Sequence, residues 1–148
     1  MKKLVSVLFL CAATIFANAQ VEKMLGYWTS VDDDSGKEES VFYVYKATDG
    51  KYYGKLVKLL EQEKKGAICD KCTGADKDKP LEGMVLMRGL KEDGKSLSGG
   101  KIMDPKNGKE YNLKVSLDEK TDRLKIRGSL DKSGLLGRTQ YWVRRKGL

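Results

Sequence analysis

Leu25-Gly26-Tyr27-Trp28 and Tyr141-Trp142-Val143-Arg144 bracket the part of this chain that reads as strands and turns. Gly26, two residues before Trp28, lets the backbone bend as a first strand enters a sheet. Trp28 then fills one end of the structure. Arg144, on the last strand, lays its guanidinium on the face of that ring. A Trp on the first strand with an Arg on the last strand packed across it is what a closed antiparallel barrel looks like from sequence, and that is the expected fold.

The stretch between agrees. Glycine is frequent (16 residues) and falls between apolar runs, while proline is nearly absent (2 residues). Strand patterns separated by turn clusters indicate an all-β barrel or sandwich. We read eight strands: 25–29, 40–46, 52–60, 83–88, 96–103, 109–117, one around 124–127, and 138–145. Thr48-Asp49-Gly50, Glu92-Asp93-Gly94 and Asp104-Pro105-Lys106-Asn107-Gly108 are turn sequences. The sixth strand alternates most cleanly, with Tyr111, Leu113, Val115 and Leu117 on one face and Asn112, Lys114 and Ser116 on the other. One wet face and one dry face suit eight strands that close and leave room for side chains or one small ligand. A two-sheet sandwich is the alternative, and the Trp28–Arg144 bracket favours the barrel. A short helical turn at Val21 to Met24 is expected to plug an end.

The N-terminus reads as a targeting segment. Lys2 and Lys3 precede the apolar run Leu4 to Phe16, and Ala17-Asn18-Ala19 is a small-x-small cleavage site. The run is short of the roughly 20 residues needed to span a bilayer. Leu10 stands before Cys11 where a lipidation signal has a small residue, so no lipid anchor is expected. This organisation predicts a cleavable signal peptide over residues 1–19 and a single barrel domain over 20–148, delivered to the periplasm or secreted.

The formal charge is +8. Because the Lys residues are scattered among acids, we read most of them as a solvated exterior. Peripheral contact with anionic envelope components fits this charge, and nucleic acid is not an expected partner. The chain has no His, which removes Ser-His-Asp triads, Cys-His pairs and His-ligated zinc. No other catalytic constellation stands out. The expectation is a non-enzymatic protein without a cofactor or metal.

A set of motifs carries a resemblance. It comprises Leu25-Gly26-Tyr27-Trp28, Tyr53-Gly54-Lys55-Leu56, Cys69-x-x-Cys72 running into Asp78-Lys79-Pro80-Leu81-x-Gly83, Gly99-Gly100-Lys101-Ile102-x-Asp104-Pro105-x-x-Gly108-Lys109-x-Tyr111, and Leu136-Gly137-Arg138-Thr139-Gln140-x-Trp142-x-Arg144. In this order they resemble the uncharacterised bacterial family designated domain of unknown function 2147. The resemblance implies a small exported barrel of the lipocalin or calycin kind, and no activity. Many members it resembles carry Asp and Asn where this chain has its Cys pair, so the pair is not the family's centre.

Cys69-Asp70-Lys71-Cys72 has three readings. A local disulfide stapling the long loop 61–80 is the default in an oxidising compartment. A redox pair would need a helix N-terminus after a strand. A metal site would have to borrow Asp70, Asp76 or Asp78. Asp32-Asp33-Asp34-Ser35-Gly36 breaks the calcium-loop pattern at its twelfth position, Tyr43, and reads as a capped turn.

The last strand is the most informative for function. Arg138, Gln140, Trp142 and Arg144 share one face. If Trp142 points inward, Arg138 and Gln140 point inward too, and buried polar groups must meet something polar. They either form an internal network or read the polar group of a ligand. Asp104 is either plain turn chemistry or a contact at the barrel mouth. The candidate ligand set is therefore Arg138, Gln140, Trp142, Asp104 and Tyr111, beside the structural Gly26, Trp28 and Arg144. The expected ligand is a small hydrophobic or amphipathic molecule, and the alternative is a filled barrel serving as a structural or interaction protein.

Overall fold

The computed structural model describes residues 17–148. The strands are β1 (Gly26–Val31), β2 (Glu38–Lys46), β3 (Tyr52–Leu59), β4 (Val85–Asp93), β5 (Ser96–Asp104), β6 (Lys109–Asp118), β7 (Arg123–Ser129) and β8 (Gly137–Arg145). Each pairs antiparallel with the next, and β8 returns to β1, so the sheet closes into an eight-stranded barrel in chain order. The expected strands are present, with ends shifted by a few residues. The largest change is in β4, expected to stop at Arg88. It continues to Asp93 because Gly89 takes a φ of 70° within the strand, which only glycine adopts without strain.

The N-terminal charged and apolar part of the targeting segment lies outside the described residues. Residues 17–23 are helical, so the helix begins before the expected turn at Val21 and crosses Ala17 to Ala19. Val21 and Met24 from this helix and its exit are fully buried.

Inward-facing residues differ between the two halves of the barrel. Toward the end where β1 begins, they are large: Trp28, Val44, Tyr52, Leu90, Leu97, Val115 and Leu124 are all essentially buried. That half is packed shut. Toward the opposite end, the inward positions include Ser30, Ser40 and Gly128, which leave space.

The plug is held by polar contacts as well. The Trp28 indole N–H donates to the Met24 carbonyl (2.9 Å). The Arg144 guanidinium lies 4.3 Å over the Trp28 ring, donates to the Lys23 carbonyl (2.9 Å), and grips both carboxylate oxygens of Asp122 (2.9 and 3.0 Å). Hydrogen bonding to that guanidinium holds the Asp122 carboxyl below its ordinary pKa. The roles expected of Trp28 and Arg144 are thus both visible at the closed end.

The long β3–β4 connection is a packed structure containing 3-10 turns at Gln62–Lys64 and Gly74–Asp76. Cys69 and Cys72 form a disulfide, and both are buried. The ring sits against the β5–β6 turn. Cys72 Sγ lies 3.6 Å from Met103 Sδ, and a Cβ on Gly108 would collide with the Lys71 carbonyl oxygen. Asp76 pairs with Arg88 (2.6 Å), tying the far side of the loop to β4.

Candidate functional site

The small inward residues of the open half leave a cavity of about 660 Å³. Its walls are apolar, formed mainly by Phe42, Leu56, Leu86, Ile102, Ile126 and Trp142. The Trp142 ring stacks on Phe42 at 4.3 Å, and its indole N–H donates to the Gln140 side-chain oxygen (3.3 Å). Gln140 is therefore tied to the neighbouring Trp142 in the cavity wall.

Polar side chains gather at the rim, and turns place them there. The Asp104 carboxylate accepts the Lys106 amide (2.9 Å), while its carbonyl accepts the Gly108 amide (2.7 Å), so Asp104 is both the cap of the turn and part of the rim. Asn107 donates to the Tyr111 hydroxyl (2.9 Å), fixing that ring at the mouth. Lys106 pairs with Glu39 (3.2 Å). Arg138 pairs with Asp33 (2.8 Å), and this contact keeps the guanidinium charged more firmly than usual.

The five residues of the candidate ligand set, Arg138, Gln140, Trp142, Asp104 and Tyr111, all line this one cavity. The expectation that Arg138 points into the interior with Gln140 needs correction. Arg138 stands at the mouth, largely exposed, and reaches across to the β1–β2 turn. The reason lies in strand pairing. The β1–β8 ladder runs only from Tyr27/Arg145 to Thr29/Val143. Beyond it the Arg138–Asp33 pair, instead of backbone bonds, links the first and last strands.

The Asp32 turn is capped as expected: the carboxylate accepts the Asp34 and Ser35 amides (3.2 and 2.7 Å) and the Ser35 hydroxyl (2.7 Å). The Ser35 amide, first among these, lowers the Asp32 pKa. A smaller polar recess of about 290 Å³ adjoins the rim, where Lys37, Glu61 and Lys64 join Glu39 and Lys106. Among the described residues, no group of three His, Cys, Asp or Glu side chains is placed to hold a metal ion.

Glu39, Lys106, Phe42 and Met103 line the cavity without having been expected. Phe42 could have been found, since it stands opposite Trp28 in the β1–β2 register and must share its face. Lys106 carries no such signal, because a turn lysine has no periodicity.

This chain matches the family over residues 26–144, from the Gly26 of the first strand to the Arg144 of the last. The chain belongs to the DUF2147 family, uncharacterized proteins conserved in bacteria. Among solved structures it is similar to protein HP1028 from the human pathogen Helicobacter pylori, described as belonging to the lipocalin family. The TM-score is 0.72 at 23% identity, covering 83% of each chain, and the likeness is one of fold. No curated protein matches the chain. In this DUF2147 member the match encloses the plug: it begins two residues before Trp28 and ends at Arg144, and these two side chains touch each other.

Proposed function

We propose that this DUF2147 protein is exported by a signal peptide ending at Ala19 and binds one small amphipathic, lipid-like molecule in the open half of its barrel, without turnover. The observation that carries this reading is the cavity: about 660 Å³, apolar within, polar at the rim and closed at the other end. Small-molecule pockets span roughly 300–1,000 Å³ and combine apolar walls with a few polar groups that set orientation. A chain-like apolar part fits against Phe42, Ile126 and Trp142, and a polar head fits among Asp104, Lys106, Tyr111 and Arg138. The rim's Lys106 and Arg138 are each tied to a carboxylate, which suits holding a ligand more than driving a reaction. The lipocalin-like fold agrees. The alternative, a filled barrel with a structural role, is disfavoured by the small inward residues of the open half.

Native mass spectrometry of the protein recovered from its own host tests this reading. The expected result is a complex that loses one small molecule on denaturation, on a chain beginning at Gln20. A bare mass, with no uptake of the amphipathic, anionic dye 8-anilinonaphthalene-1-sulfonate, would refute binding. A chain retaining residues 1–19 would refute processing.

A further inference from the structure

The β7–β8 connection holds Leu130, Leu135 and Leu136 in water, at 70, 82 and 66% exposure. This segment is tightly bonded. The Asp131 carboxylate accepts the amides of Leu135 (3.2 Å) and Leu136 (2.8 Å) and the Ser133 hydroxyl. Arg127 donates to the carbonyls of Gly134 (2.6 Å) and Leu135 (3.2 Å) and to Thr139 Oγ1 (3.2 Å). The Leu130 amide donates to the Leu136 carbonyl (2.8 Å), the Gly134 amide to the Asp131 carbonyl (3.3 Å), and the Ser129 hydroxyl to that same carbonyl (2.8 Å).

Backbone groups exposed to water need no such internal partners, whereas groups entering an apolar medium do. A loop that pairs the amides of Leu130, Gly134, Leu135 and Leu136 internally while turning three leucines outward is suited to contact with the lipid interface. Its position strengthens the point. Leu130 and Leu136 also line the cavity, so two of the three exposed leucines connect the cavity wall to the loop. Lys132, at the tip, is exposed and makes no ion pair among the described residues, leaving it available to a headgroup phosphate.

We infer that the Leu130–Leu136 loop docks the barrel mouth on a phospholipid bilayer, so that an amphipathic ligand passes between bilayer and cavity past Leu130 and Leu136. The passage rests on the ligand-binding reading above; the docking does not.

The test is flotation of the host-processed protein with vesicles of phosphatidylethanolamine and phosphatidylglycerol in equal parts. Wild type is expected to float. The double variant Leu135→Asp/Leu136→Asp is expected to lose vesicle affinity by at least about tenfold, since each leucine withdrawn from lipid is worth a factor of that order. The double variant should keep the circular dichroism of wild type, and dye uptake is compared on Leu135→Asp alone, which should leave it unchanged because Leu135 is exposed and does not line the cavity, whereas Leu136 does. Lys132→Glu should weaken flotation without unfolding. Wild type that stays with the unbound fraction would overturn the docking. So would equal flotation of the double variant, which would assign binding to the basic exterior. A wild-type dimer that the double variant dissolves, with no vesicle binding, would give the leucines to a second copy of the chain. Flotation without dye uptake would sink the cavity reading and leave the docking standing.

Discussion

Gly128→Val separates an empty ligand site from a packed core. Gly128 lies on β7 between Leu113 and Arg138 in the sheet, and it lines the cavity. Its φ is not in the left-handed region, and a Cβ there would meet only Tyr111 Cβ at 3.7 Å and Ile102 Cγ2 at 3.8 Å, which is ordinary contact. Valine adds three carbons, worth about 0.8 kcal/mol each if fully buried. In a cavity open to water, roughly half of that is realised. Removing a strand glycine adds about 0.5–1 kcal/mol by lowering the entropy of the unfolded chain. The variant should therefore be about 1–2 kcal/mol more stable in urea, the net of these gains and the side-chain freedom lost. The same methyls occupy ligand space. Overfilling of that kind costs about 1–3 kcal/mol, which is about 5- to 150-fold in the Kd of 8-anilinonaphthalene-1-sulfonate. A variant that is more stable yet binds dye as wild type does would show that apolar ligands sit elsewhere. A variant that is less stable would show that Gly128 does not face open space.

Three further outcomes are expected. Arg144→Ala removes the stacking on Trp28, the Asp122 fork and the bond to the Lys23 carbonyl; it should cost about 2–4 kcal/mol in urea unfolding. Arg144→Lys should recover only part of this, and dye affinity should barely change because the plug is remote from the mouth. Replacing both Cys69 and Cys72 by Ala should cost about 2 kcal/mol from the released loop. It should also weaken dye binding, since the ring buttresses Met103 and the β5–β6 turn, and unchanged affinity would detach the staple from the cavity. The Asp131 carboxyl is held to about 2, below its ordinary 3.8, chiefly by the Ser133 hydroxyl and then by the Leu136 amide. A depressed pKa contributes stability that is full above the unfolded value and is lost as pH falls through the folded one. The protection of the Leu135 and Leu136 amides, taken relative to the intrinsic exchange rate at each pH, should fall as pH drops from about 4 toward 2, and by more than at core amides. An equal loss of protection throughout would refute a local role for Asp131.

The strand plan was legible because it rests on local chemistry. Alternation in β6, turn pairs such as Asp49-Gly50 and Asn107-Gly108, and the Gly26–Trp28 and Trp142–Arg144 pairs each act over a few residues. Those signals specify eight strands and imply that the first meets the last. They also put Arg138, Gln140 and Trp142 on one face, because side chains along a strand alternate with period two. How deep each residue sits is not a local property. Arg138 and Trp142 share a face, yet one stands at a solvated mouth and the other over a buried floor, because the β1–β8 ladder ends at Thr29 and Val143. Glu39 and Lys106 meet across a long stretch of chain only because two turns reach the same end of the barrel. The hollow itself is a sum over strands: Ser30, Ser40 and Gly128 are unremarkable singly, and only closure of the sheet turns them toward one another. The sequence alone therefore determined the barrel and its plug. Closure in three dimensions decided where the barrel is empty, since a cavity is made by residues far apart in the chain that fail to fill the same space.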